Sequence, residues 1–174
     1  TPPEVFAQCP LLEAALEAAG FTVLAMVRHE ADDAMGAAAV LAAADERVAR
    51  VLVCTPDKDL AQVVDDDAGI VQVDRRREIT YDAAAVVEKF GVRPESIPDW
   101  LALVGDTADG IPGLTGWGAK SSAAILPRYG HLEALPADPP EWDVAVRWAT
   151  TPAATLRATR QPKRGVVGKR ADLG

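Results

Sequence analysis

Between residues 4 and 80, helical stretches and short apolar runs take turns, and this alternation limits the fold more than any other feature of the chain. Residues 4–19 (EVFAQCPLLEAALEAA) predict a helix with Leu11, Leu12, Ala15 and Leu16 on one side, stopped by Gly20. FTVLAMV (21–27) predicts a strand, and 30–44 (EADDAMGAAAVLAAA) a second helix. VARVLVCT (48–55) is short, apolar and rich in β-branched residues, which predicts a buried strand. A further helix over 57–64 and short strands at 70–73 and 78–80, around the turn of Arg75, Arg76 and Arg77, complete the series. Helix and strand in alternation imply an α/β fold with a parallel sheet under covering helices.

From Tyr81 the character changes. Residues 81–90 read as a helix ending at Gly91, and 94–104 as another. Residues 105–118 are dense in Gly and Pro, and 119–126 form a last helix limited by Pro127. The expected organisation is therefore an α/β core over 1–80, a helical subdomain over 81–136, and a loosely ordered basic tail over 137–174 ending in Lys163, Arg164, Lys169 and Arg170. No run approaches the ~18 apolar residues a membrane span needs. Cys9 and Cys54 fit no metal or disulfide framework and are expected to be reduced and buried.

Three acidic clusters carry the chemistry. Glu30, Asp32 and Asp33 open the second helix, and Glu30 and Asp33 share a face. Asp57 and Asp59 follow the buried strand, with Lys58 between them for local charge balance. Asp106 and Asp109 follow an apolar helix. Taken alone, each is also an ordinary capped helix start, polar turn or Asx-rich turn. Asp65, Asp66 and Asp67 read as an exposed loop, and His29 and His131 as structural or exposed.

Together, seven carboxylates at one sheet edge would repel each other strongly unless cations neutralised them. Oxygen ligands without His or Cys favour Mg2+ or Mn2+ over zinc. Two such ions about 4 Å apart are suited to phosphodiester hydrolysis. The net charge of −8 argues against a generic basic nucleic-acid coat. It does not exclude DNA, because two divalent ions would bring it to about −4.

IPGLTGWGAKS (111–121) lies between two helices. Gly113, Gly116 and Gly118 would allow tight turns close to a phosphate, and Lys120 and Ser121 add a positive charge and a hydroxyl. This is the logic of a helix-hairpin-helix gripping a DNA backbone without reading bases, although a plain helix–helix turn fits as well. It is neither a Walker A loop nor a dinucleotide fingerprint.

HEADDAMG, TPDKDLAQVV, GDTADGIPGLTGWGAK and the intervening EITYDAAAVVEKFGVRPESIPDWLALVGD resemble the 5′-3′ exonuclease and flap endonuclease family, as found at the front of bacterial DNA polymerase I. The resemblance runs from about residue 1 to about residue 136. It implies a PIN-like core with a helix-three-turn-helix element. It also implies one metal site at Glu30, Asp32, Asp33 and Asp57 and a second at Asp59, Asp106 and Asp109, with Asp33, Asp57 and Asp59 closest to the chemistry.

The segment from Gly113 to Lys120 matches the family's duplex-binding element, which often holds K+. The implied reaction is hydrolysis near a 5′ end or at the base of a 5′ flap, in replication and repair. The implied setting is a cytoplasmic monomer, alone or with a DNA polymerase. The family's front third, which supplies the first strand, two more aspartates and a helical arch, has no counterpart here. A non-catalytic DNA-binding module therefore stands as the alternative, with a phosphatase-like metal domain as a third reading that leaves the hairpin unexplained.

Overall fold

The computed structural model describes residues 2–136 and 141–144. Their helices are α1 (Pro3–Phe6), α2 (Cys9–Ala18), α3 (Ala31–Ala43), α4 (Ala83–Phe90), α5 (Ile97–Val104) and α6 (Ala119–Tyr129). The strands are β1 (Val51–Val53), β2 (Ile70–Asp74) and β3 (Ile79–Tyr81), in the order β1-β2-β3. β1 runs parallel to β2, pairing Val51 with Ile70. β3 returns antiparallel through the tight arginine turn, pairing Asp74 with Ile79, so the sheet is mixed where an all-parallel one was expected.

Two cores result. Ala39 of the alanine-rich α3 packs with Val53, Leu60 and Ile70, joined at the margin by Met35 and Val63. The larger core gathers Val86, Phe90, Ile97, Trp100, Leu103, Ile125 and Leu126, among others, from the three C-terminal helices. Phe90 and Trp100 meet edge to face at 5.2 Å between ring centroids. Asp82 caps α4 by accepting the Ala85 N–H at 2.8 Å. Gly91 ends that helix in the left-handed conformation, at φ 73°.

The structure departs from expectation at several places. The helix over 4–19 is two pieces, and neither buries a residue: Leu11 is 74% exposed and Leu12 60%. Residues 21–27 form no strand. Among the described residues β1 is laddered to β2 alone, and a strand without a partner leaves its backbone groups to water. Residues 58–63 form a 3-10 helix (Lys58–Val63) rather than an α-helix.

Pro127 does not end α6. It lies in the last turn, where its missing N–H costs one bond, and Gly130 closes the helix by donating to the Leu126 carbonyl at 2.7 Å. Cys9 and Cys54 are free and exposed, because α2 buries nothing and Cys54 lies beyond the end of β1. The expected tail falls outside the described residues except 141–144. There Trp142 lies 6.2 Å from Trp117, ring to ring, and donates its indole N–H to the Pro136 carbonyl.

Candidate metal centre

β1 delivers the chain to Thr55 and Asp57 at the carboxyl end of the parallel pair, where α/β folds place their sites. The turn that follows is closely pinned. The Asp57 N–H donates to Thr55 Oγ1 at 3.1 Å, and Asp57 Oδ1 accepts the Asp59 N–H at 3.0 Å. Gln72 of β2, only 2% exposed, donates its side-chain amide to the carbonyls of both Thr55 and Asp57. Sequence reasoning passed over Gln72; the signal was a polar residue inside the otherwise apolar run IVQV.

The turn sets Asp59 beside the loop after α5. There Asp106 and Ile111 exchange backbone hydrogen bonds at 2.8 and 2.7 Å, and Asp106 Oδ1 accepts the Ala108 N–H. Gly105 and Gly113 make this crossing possible. A Cβ on Gly113 would lie 2.5 Å from the Val104 carbonyl oxygen, and one on Gly105 2.7 Å from the Gly113 nitrogen.

Asp59, Asp106 and Asp109 each offer a carboxylate oxygen within 4.8 Å of the other two. Lys58 donates to Asp106 Oδ2, so its ammonium lies against this group. Asp32 belongs to the same electrostatic group. Burial raises its pKa first, and the charges of Asp57, Asp59, Glu30 and Asp33 raise it further. Burial also raises Asp59, with Asp57 adding and Lys58 opposing.

The first acidic cluster divides. Asp32 faces the centre electrostatically, whereas Asp33 Oδ2 accepts the Glu30 N–H at 3.0 Å and lies 3.9 Å from His29 Nδ1. Glu30 and Asp33 are exposed and stand outside the three-carboxylate group, in the geometry of a helix cap. Asp65, Asp66 and Asp67 form an exposed loop, with Asp65 and Asp66 each accepting a backbone N–H.

The donor set fits a divalent cation. Asp59 Oδ1 is buried and has no hydrogen-bond partner among the described residues, and its neighbours Asp106 and Asp109 are oxygen donors. An orphaned buried carboxylate oxygen is costly unless a cation takes it.

In the hairpin, Gly116 is left-handed at φ 85°. Gly118 is extended and precedes α6. Ser121 Oγ accepts the Gly118 N–H and donates to the Gly118 carbonyl, both at 3.0 Å, so this hydroxyl caps the helix. Lys120 is exposed at the first turn of α6. His131 is exposed too, and its Nδ1 lies 2.8 Å from Asp99 Oδ2, a contact that raises its pKa.

Comparison with known proteins agrees with this architecture. Residues 1–91 match the model of the 5′-3′ exonuclease N-terminal resolvase-like domain, and 92–159 the 5′-3′ exonuclease C-terminal SAM fold. A 5′-3′ exonuclease of Aquifex aeolicus is 36% identical over 126 residues, covering 72% of this chain and 42% of the relative. DNA polymerase I of Mycobacterium bovis is 39% identical over 137 residues, covering 78% of this chain and 15% of the polymerase. The chain thus spans less than half the length of these relatives.

Among solved structures, T5 5′-exonuclease superposes with a TM-score of 0.66 at 21% identity, over 86% of this chain and 59% of the other. T5 5′-exonuclease with zinc bound and a bacteriophage T5 D15 flap endonuclease pseudo-enzyme-product complex with DNA and metal ions also match, both with a TM-score of 0.66. Among the described residues no helix is long and apolar enough to cross a membrane. With the first model matching over half of the sequence and the second continuing directly from it, the chain belongs to the 5′-3′ exonuclease family.

Proposed function

We propose that this chain is the catalytic part of a divalent-metal-dependent nuclease that hydrolyses DNA phosphodiesters near 5′ ends or at the base of 5′ flaps. The observation that carries the reading is the convergence of Asp59, Asp106 and Asp109 within 4.8 Å, beside Asp32 and Asp57. Asp59, Asp106 and Asp109 hold one cation, with Mg2+ or Mn2+ the fitting hard ions, and Asp32 and Asp57 contribute to a second. When bound, such cations supply Lewis-acid activation of a scissile phosphate and ease deprotonation of an attacking water.

The protein's own groups orient and balance. Gln72 and Thr55 fix the turn that carries Asp57 and Asp59. Lys58 offsets the charge of Asp106. Glu30 and Asp33 act mainly by shaping the start of α3. Lys120 and the backbone of Gly113, Gly116 and Gly118 position duplex DNA through its phosphates, and a K+ ion at the hairpin is part of this reading. Ser121 contributes by capping α6. The functional division follows 1–80, 81–136 and 137–174, in a cytoplasmic monomer that works with a DNA polymerase, fused or separate.

The test is cleavage of a 5′-flap DNA with Mg2+ or Mn2+, comparing the wild type with Asp106→Asn. The substitution should lower cleavage at least a hundredfold, a loss of about 2.7 kcal/mol in transition-state stabilisation, while DNA affinity changes little. Equal losses in cleavage and binding would count against the metal role. The hairpin of Gly113 to Lys120, with its left-handed glycines ahead of α6, supports one second reading, a DNA-binding module without catalysis. Binding without cleavage in either metal would support it.

A further inference from the structure

Beside the acidic centre lies a cleft of about 470 Å3 with basic side chains in its walls. Its walls include Lys58, Arg77, Lys89 and Asp57, with Phe90 and Thr55 between them. Of its three cations, Lys58 is paired with Asp106 and Arg77 lies near the buried Asp74, while Lys89 has no such carboxylate among the described residues. Asp57 and Lys58 belong to the cleft and to the metal centre's turn alike, so the two are contiguous.

The cations are held by built features of the fold. Arg77 sits on the β2–β3 turn, which Asp74 organises from 2% exposure by accepting the N–H groups of Arg76 and Arg77 at 3.0 and 3.1 Å. Asp74 also lies 3.8 Å from the Arg77 guanidinium. Glu78 completes the turn at φ 57°, a left-handed conformation uncommon for a residue with a side chain. Lys89 has no carboxylate partner among the described residues. Its ammonium lies over the rings of Tyr81 and Phe90, at 4.2 and 4.9 Å from their centroids. A cation steadied by aromatic faces keeps its charge available for an incoming anion.

We propose that this cleft, with Arg77 and Lys89 as its ligating groups, binds phosphates of the DNA strand that runs away from the metal centre. The inference rests on the nuclease reading and assigns that reading a strand path along the β2–β3 turn. A single-stranded phosphodiester backbone is the ligand the chemistry favours, since the cations contact phosphate and no group in the cleft is arranged to read a base.

The experiment is binding of a 5′-labelled single-stranded oligonucleotide to the whole chain, by fluorescence anisotropy with Ca2+ in place of Mg2+, across a salt series. Removing one phosphate-binding cation should reduce the slope of log affinity against log salt by about 0.7, the single-strand value, which at about 0.1 M salt is about a fivefold loss of affinity. Arg77→Ala and Lys89→Ala should each show this change, and Arg77→Lys and Lys89→Arg should restore the slope. Mn2+ affinity should stay at the wild-type value throughout, a readout that general damage to the fold would move. A free 5′-mononucleotide should compete only at more than ten times the phosphate concentration of the oligonucleotide; equal competition would make the cleft a nucleotide pocket and overturn the strand path. If the wild type binds and cleaves flap DNA while both alanine variants keep its affinity and slope, the cleft inference fails and the nuclease reading stands. If the wild type neither binds nor cleaves, both fall together.

Discussion

Asp59 shows how one side chain connects electrostatics with function. Its Oδ1 is buried and unpartnered, and burial and Asp57 raise its pKa. A carboxyl whose folded pKa is raised stabilises the fold fully only below its ordinary value near 3.8; that contribution is lost as pH rises through the folded pKa. At pH 7 the ionised group therefore works against the metal-free fold. Asp59→Asn should raise the metal-free melting temperature at pH 7 and give no gain below about pH 4. The same variant should lose stabilisation by Mn2+. At a cation concentration about a hundred times Kd the wild type should gain about 2.7 kcal/mol, or about 5 to 11 °C. Thermal melts with and without Mn2+ check both halves, and an Asp59→Asn chain still stabilised by Mn2+ would remove Asp59 from the ligand set.

At the scale of elements, the crossing of Gly105 and Gly113 joins the end of α5 to the hairpin before α6. The sequence suggests Gly113 as a phosphate-approach residue, yet its immediate constraint is the Val104 carbonyl, 2.5 Å from where a Cβ would stand. Gly110 has the same hand, φ 72°, with nothing within 4 Å of an added Cβ. Gly110→Ala should therefore cost only the left-handed penalty, about 1 kcal/mol. Gly113→Ala should cost about 1 to 3 kcal/mol more through overpacking. Urea unfolding of the two variants measures the difference, and equal costs would show that the two segments do not touch.

Legibility also varied by element. α3, α4 and α5 were readable because each pairs a helix-forming composition with a stop or cap visible in the chain, such as Asp82 and Gly91. The run 21–27 misled because an apolar β-branched segment becomes a strand only beside another strand. Gln72 went unseen because its role depends on β2 lying parallel beside β1, and the Arg77–Lys89 cleft because it depends on α4 packing against the β2–β3 turn, neither of which short runs announce.

For the molecule as a whole, stability should be uneven. α5 and α6 meet in the larger core, where Leu103, Ile125 and Leu126 are fully buried. α1 and α2 bury nothing, and Phe21, Leu24 and Val27 are exposed. A ten-residue helix without tertiary burial is marginal in water. Amide hydrogen exchange of the chain by itself should show residues 3–27 exchanging with little protection and α5 and α6 protected up to global unfolding. Uniform protection across both regions would mean that the N-terminal helices gain a packing partner in solution.

The placement of the three acidic clusters was legible as motifs in order along the chain, but their division was not. Spacing alone could not show that Asp33 turns back to cap α3 while Asp59, Asp106 and Asp109 close on one another. The account depends on that convergence being a cation site. Diffraction from crystals soaked in Mn2+, collected at the manganese edge, tests it directly. The account predicts an anomalous peak in contact with carboxylate oxygens of Asp59, Asp106 and Asp109. Ordered carboxylates with no peak among them, or manganese bound only at the exposed Asp65–Asp67 loop, would contradict it.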